Sequence, residues 1–251
     1  MTTPAVGFPP VQSSKSRLLV TLVVDTSSSM ARDDAIGQLN TALRTWREDL
    51  HADNHLRHIT EIAVVTFGAG GVRVVDPTGH ERAGEPYAPI TRFQPPTLRA
   101  GGYSPMVKGI KDGLRIMDER RQALAREGVQ MAYTPLVFLL TDGAPSDDQG
   151  KPCDLWRSLA PELRRQEAEQ GLMFFAFGVR GADAKVLEAL APDKHYQAEG
   201  TDFASVLGAV RQSIDRVVRS TEGVRTDEMA SRLKKRRSAM DWITDHARGE
   251  A

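Results

Sequence analysis

Leu18-Leu19-Val20-Thr21-Leu22-Val23-Val24-Asp25-Thr26-Ser27-Ser28-Ser29 is the stretch whose reading decides the fold. Leu18–Val24 is a near-continuous apolar run, the pattern of a central strand covered on both faces. The run stops at Asp25 and gives way to hydroxyl side chains. Lys15 and Arg17 in front of it imitate the start of a secretory signal. A run this short with no small-residue cleavage site after it reads instead as a buried strand.

Outward from that strand the periods alternate. Ile36, Leu39, Leu43, Trp46 and Leu50 recur at spacings of three and four, one face of a helix. Ile62–Phe67 reads as the next strand, and Val72–Val75 as a shorter one after the hairpin-like turn Gly68-Ala69-Gly70-Gly71. Asp76 to Ala100 holds five prolines and no clear period, an excursion of a length that is usually functional or mobile. Val107, Ile110, Leu114 and Met117 then mark a helix that ends before Gly128, and Leu136–Leu140 is a third buried strand. Leu155, Leu159 and Leu163 line a further helix, and Leu172–Phe177 is a strand. A short helix covers Ala184–Leu190, His195-Tyr196-Gln197 is an edge strand, and Phe203 to Val217 is a long amphipathic helix. Strands alternating with helices at this rhythm predict an α/β domain, a doubly wound, mostly parallel sheet flanked by helices with one short antiparallel edge strand. Residues 17–220 make up that domain. Residues 1–16 form a flexible arm rich in Pro, Ser and Thr, and residues 221–251 a basic helical extension carrying Lys234-Lys235-Arg236-Arg237.

Composition narrows the functional classes. The chain has 251 residues, 40% hydrophobic and 26% charged, with 33 Lys+Arg against 33 Asp+Glu. Such a balance excludes a disordered, collagenous or disulfide-stapled chain, and zero net charge gives no global field toward nucleic acid or an anionic membrane. No apolar run approaches the ~20 residues of a bilayer span. The single cysteine, Cys153, has no intramolecular partner, which fits a reducing cytoplasm. It reads as a plain free thiol.

In a doubly wound sheet, ligands bind outside the carboxyl ends of the strands at a topological switch point. Three loops reach that edge here. The first strand ends in Asp25-Thr26-Ser27-Ser28-Ser29, the third in Thr141-Asp142-Gly143, and Gly101-Gly102-Tyr103-Ser104-Pro105 opens the second long helix. In an extended turn, residues two apart project the same way, so Asp25, Ser27 and Ser29 are expected to converge. With Ser104 and Asp142 they offer oxygen donors alone, the set a hard cation such as Mg²⁺ takes in a near-octahedral array.

These residues resemble the metal-ion-dependent adhesion site of a von Willebrand factor type A domain, a Rossmann-like fold, and the resemblance runs from about Leu18 to Val218. Phe93-Gln94-Pro95-Pro96-Thr97-Leu98, Pro135–Leu140 and Phe174–Gly178 are similar to the bacterial TerY/YegL-like branch, associated with tellurium-resistance and stress gene clusters. The resemblance implies direct metal ligation by Ser27 and Ser29, with Ser104 standing where threonine is usual and Asp25 and Asp142 acting largely through bound water. It implies Mg²⁺ as the cofactor, with Mn²⁺ or Ca²⁺ as alternatives. It further implies a non-enzymatic scaffold or signalling module whose protein partner supplies an Asp or Glu carboxylate, a kinase or phosphatase of the same stress or defence system being a candidate partner. Besides Ser104, two positions depart from the family pattern, Tyr103 and Ser28, each where glycine is usual. Tyr103 is expected to project outward as a binding anchor on the rim, the alternative being that it folds back onto Phe93–Pro96. Asp147 and Asp148 stand beside the site as further rim residues.

Competing readings are weaker. A metal-dependent phosphatase or hydrolase lacks machinery. Haloacid-dehalogenase enzymes carry a second Asp two residues after the first, and here that position is Ser27, with no Gly-x-Ser-x-Gly, Walker loop or His-Glu-x-x-His elsewhere. His51, His55 and His58 have helical spacing but read as a solvated helix end. Nucleic-acid binding through Lys234–Arg237 rests on four charges in a neutral chain.

Overall fold

The computed structural model describes residues 16–79, 85–129, 131–198 and 200–219. The expected arm and basic extension, Lys234–Arg237 included, lie outside the described residues apart from Ser16. In chain order the elements are strand β1 (Leu18–Thr26), a 3-10 segment (Ser28–Asp34), helices α1 (Ala35–Ala52) and α2 (Leu56–Ile59), and strands β2 (Thr60–Gly68), β3 (Gly71–Val75) and β4 (Ala88–Pro89). Helix α3 (Met106–Arg126), strand β5 (Leu136–Thr141), helix α4 (Trp156–Gln170), strand β6 (Met173–Gly178), helix α5 (Ala184–Leu190), strand β7 (His195–Gln197) and helix α6 (Phe203–Arg219) follow.

The sheet runs β3-β2-β1-β5-β6-β7, with β4 also pairing β2. All pairings among β2, β1, β5, β6 and β7 are parallel. The expected antiparallel edge strand is β3, against Val64–Gly68 of β2. A second antiparallel piece, β4, takes the other end of the same strand at Glu61 and Ile62. It belongs to the excursion read from sequence as irregular. That segment buries Tyr87, Ile90 and Phe93 and joins the core, a packing role that its prolines and missing period conceal.

Because every residue of β1 is buried, its side chains alternate between two cores. Val20, Leu22 and Val24 face Leu39, Leu43 and Trp46 of α1 and Phe203, Val206 and Val210 of α6. Leu19 and Val23 face Ile110 and Met117 of α3 and Leu163 of α4. Helix α3 lies close against the sheet through two glycines. A Cβ at Gly109 would meet Phe67 at 2.8 Å, and one at Gly113 would meet Val23 at 2.8 Å. Only residues without a side chain allow this approach.

Boundaries shift in two instructive places. β1 continues past Val24 through Asp25 and Thr26, because β2 continues beside it and pairs them with Phe67 and Gly68. Leu155, read as part of a helical stripe, precedes α4 and is 63% exposed. Leu159, Ala160 and Leu163 carry that helix's buried contact with the core, with Trp156 packed beside them.

Candidate metal centre

β1 and β5 are parallel neighbours with Val24 opposite Leu140, so the next residues along each, Asp25 and Thr141, sit side by side. Here the strand order reverses. α1 leaves β1 toward one face of the sheet, and α3 reaches β5 across the other. The Thr141 hydroxyl donates to Asp25 Oδ2 at 2.7 Å, and the Ser104 hydroxyl donates to the same oxygen at 3.3 Å. Asp25 Oδ1 accepts the backbone N–H of Ser27 at 2.8 Å. Ser27 and Ser29 hydroxyl oxygens lie 2.9 Å apart, and the Ser29 hydroxyl donates to Asp142 Oδ1 at 2.6 Å. All five expected residues, Asp25, Ser27, Ser29, Ser104 and Asp142, therefore meet in one hydrogen-bonded cluster of oxygens.

The route to convergence differs from the expected one. Asp25 is inside the strand, and Ser29 is already in the 3-10 segment, where the Met30 N–H donates to the Ser27 carbonyl at 3.0 Å. Ser27 and Ser29 are thus brought together by tight winding, not by extended alternation. Ser27 precedes that segment without capping it through its side chain.

Residues outside the expected set hold the three loops in register. Ser28, in a glycine position of the family pattern, donates its N–H and its hydroxyl to the Gly102 carbonyl at 3.1 and 2.9 Å. Gly102 has φ 70° and lies against the Gly68 carbonyl, where a Cβ would collide. Thr26 accepts the N–H groups of Ala69 and Gly101 at its carbonyl. Ser146 accepts the Ser104 N–H at its hydroxyl, 2.8 Å, and returns its own N–H to the Ser104 carbonyl, 2.8 Å. Thr141 is the other omission. Its place in Thr141-Asp142-Gly143 was visible, but its hydrogen bond to Asp25 required the register of β1 and β5.

Electrostatics at the cluster favour a positive charge. Asp25 is fully buried and Asp142 is 4% exposed, and among the described residues neither makes an ion pair. Burial pushes the Asp25 carboxyl up to about 6, against the hydrogen bonds from Ser27 and Thr141 and with help from the charge of Asp142. Burial also raises Asp142, opposed by the Ser29 hydroxyl and the charge of Arg32. Among the described residues no group of three or more His, Cys, Asp or Glu is placed to hold a metal. The cluster offers two carboxylates supplemented by hydroxyls. Oxygen donors alone, around a buried carboxylate without a cation, suit a hard divalent ion.

On the rim, Tyr103 projects outward and is 56% exposed. Its ring lies over Gly150, not over Phe93–Pro96; Phe93 is buried on the α1 side, edge-on to Trp46. Asp147 folds its carboxylate onto the N–H groups of Gln149 and Lys151 at 2.8 and 2.9 Å, and these hold it below the usual range. Asp148 is exposed and pairs with Lys108 at 3.3 Å. His55, His58 and His195 are bonded elsewhere, to Tyr133, the Asn54 carbonyl and the Ala191 carbonyl. His51 lies in α1 and His58 in α2, so the three spaced histidines do not share a helix. Cys153 is half-buried, a free thiol.

The family profile described as von Willebrand factor type A domain matches residues 20–225. Among solved structures, the pilus adhesin SpaC from Lactobacillus rhamnosus GG is similar in fold, with a TM-score of 0.57 at 15% identity over 79% of this chain and 30% of that one. The human COPII-coat protein Sec24c is similar with a TM-score of 0.51 at 12% identity over 80% of this chain and 32% of that one. This chain thus spans less than a third of the length of either protein. Among the curated proteins no sequence matches significantly. No helix among the described residues is long and apolar enough to cross a membrane.

Proposed function

The chain belongs to the von Willebrand factor type A domain family, and from that membership we propose that it is a non-enzymatic protein-binding module dependent on a divalent metal. One observation carries the reading. Asp25 is a fully buried carboxylate ringed by hydroxyls from three loops, with no cationic side chain paired to it. Ser27, Ser29 and Ser104 would hold the ion through their hydroxyls, and Asp25 and Asp142 through their carboxylates. Mg²⁺ is the proposed ion, and Mn²⁺ and Ca²⁺ share its preference for oxygen. When bound, the ion supplies an electrophilic position for a carboxylate of the partner.

The remaining residues position and select. Thr141 orients Asp25, Ser28 and Ser146 fasten the first and third loops to the second, and Tyr103, Asp147 and Asp148 form the rim. The non-enzymatic reading rests on the family membership. No hydrogen bond or ion pair among the described residues links a histidine or lysine to the cluster, and its serine hydroxyls bond to one another or to carboxylates. The proposed unit is residues 17–220. Its proposed setting is the cytoplasm, as a scaffold of a bacterial stress or defence system with a kinase or phosphatase as partner. Support for that setting is the lone cysteine and the likeness of Phe93–Leu98, Pro135–Leu140 and Phe174–Gly178 to the TerY/YegL-like branch.

Thermal melts test the metal. Mg²⁺ stabilises only the folded state that binds it, so it should raise the Tm of the wild type and leave Asp25→Ala unmoved. Equal shifts in both proteins would remove the site. Capture of a partner that needs both the cation and Asp25 tests the module.

A further inference from the structure

Asp25 and Ser27 belong to the oxygen cluster, and Thr26 between them lines a cleft of about 530 Å³ on the β3 side. One wall is the β2–β3 turn with Arg73, and the other is the segment ending in Arg99. Val74, Val75 and Leu98 give the cleft an apolar body, and no acidic residue lines it. Arg73 folds its guanidinium back over Gly70, with Nε donating to the Gly70 carbonyl at 3.3 Å. Arg99 is exposed. Neither arginine makes an ion pair among the described residues, and the cleft itself supplies no carboxylate to either. Arg32, on the 3-10 segment, is likewise without an ion pair; its Nε reaches the Ser29 carbonyl.

Three acidic groups on the neighbouring loops, Asp33, Asp147 and Asp148, are already engaged. Asp33 pairs with Arg180, Asp148 with Lys108, and Asp147 with N–H groups of its own loop. Arg73 and Arg99 therefore stand beside the cluster with no carboxylate partner among the described residues, whereas the charge of Arg32 is felt by Asp142. A guanidinium fork matches a carboxylate in two parallel hydrogen bonds, and complementary charge around a docking point sets encounter rate and partner choice.

We infer that this cleft receives a second acidic side chain of the partner whose first carboxylate docks at the cluster, so the recognised segment is acidic at two positions with an apolar residue between or beside them. The inference rests on the metal-dependent reading above. A protein segment suits the cleft better than a nucleic acid does, because Val74, Val75 and Leu98 offer contacts to side chains and the whole chain lacks a positive field.

The test uses the full chain with Mg²⁺ and two fluorescent peptides, an oligoglutamate and a Gly/Ser peptide of equal length with a single Glu. The oligoglutamate should bind the more tightly. Arg73→Glu/Arg99→Glu should weaken it about tenfold, toward the single-Glu peptide, while the Mg²⁺-induced rise in Tm stays at the wild-type value. Arg99→Glu alone should give part of that loss. Unchanged oligoglutamate affinity in the double variant overturns the inference. So does an oligothymidylate of equal charge that displaces the peptide and outbinds it. Failure of the metal reading shows differently, as a wild type whose Tm ignores Mg²⁺; the arginine dependence of peptide binding, measured without the cation, then still decides whether the cleft takes acidic segments.

Discussion

A carboxylate buried among hydroxyls, with no cation beside it, tends to keep its proton, which is why Asp25 titrates near 6 in place of 3.8. Between those values the folded chain holds a proton that the unfolded chain has released. In the metal-free protein this group's contribution is therefore fully favourable below about pH 4 and is lost as pH rises through 6, a difference of roughly 3 kcal/mol. A cation competes with that proton for the same oxygens. The rise in Tm on adding Mg²⁺ is expected to be large near neutral pH and to fade below about pH 5; melts across that range check it, and a pH-independent rise would contradict it. Asp25→Asn removes the buried charge and keeps an acceptor for the Ser27 N–H. It should raise the metal-free Tm at neutral pH and abolish the response to Mg²⁺, both read in the same melts. Tyr103 belongs to the same scale. With more than half its surface exposed and its ring over Gly150, Tyr103→Ala should leave the Mg²⁺ response intact and weaken capture of an acidic peptide several-fold. A drop in Tm with binding unchanged would make it a packing residue.

Helix α3 carries Ser104 to the cluster at its N-terminal end, and its distance from the sheet decides whether that hydroxyl reaches Asp25. Gly109 and Gly113 set this distance against Phe67 and Val23. Gly113→Val forces the helix off the sheet or the core apart, at a cost of about 1–3 kcal/mol. It should lower both the Tm and the affinity for Mg²⁺, measured by melts and by calorimetry. The helix's own sequence shows an amphipathic stripe of Val107, Ile110, Leu114 and Met117. It does not show that Gly109 and Gly113 are the points of closest approach, because that depends on which strands lie beneath. Loops behave likewise. Ser28 stands where the family pattern has glycine, and in place it is the clamp between two loops.

At the scale of the whole molecule, the end of the sheet opposite the cluster is fastened by charge. Glu61 lies six residues before Phe67, the β2 partner of Asp25, about 20 Å away along the strand. It is bound by Arg120 through two hydrogen bonds of 2.7 and 3.0 Å and by Arg17 at 3.1 Å. Glu61→Ala leaves Arg120 of α3, only 16% exposed, facing the more distant Glu85 and Glu127. The loss should be roughly 2–3 kcal/mol, seen as a lower midpoint in urea, with the Mg²⁺-induced increment preserved because the cluster is at the far end. The sequence by itself determined the main alternation of strands and helices and the oxygen-bearing side chains that gather at one edge of the sheet, because hydrophobic period is a local record of burial and strand ends are marked where the apolar run stops. It could not determine how the donors meet. Asp25 reaches Ser104 across 79 residues and Thr141 across 116, and those contacts exist because β5 lies next to β1, a matter of strand order. The tertiary structure alone placed Ser29 on a 3-10 turn, buried Phe93 of the proline-rich excursion in the core, left Leu155 in solvent and set two arginines beside the cluster. Each of these depends on what packs against a residue, and a one-dimensional pattern carries no record of that.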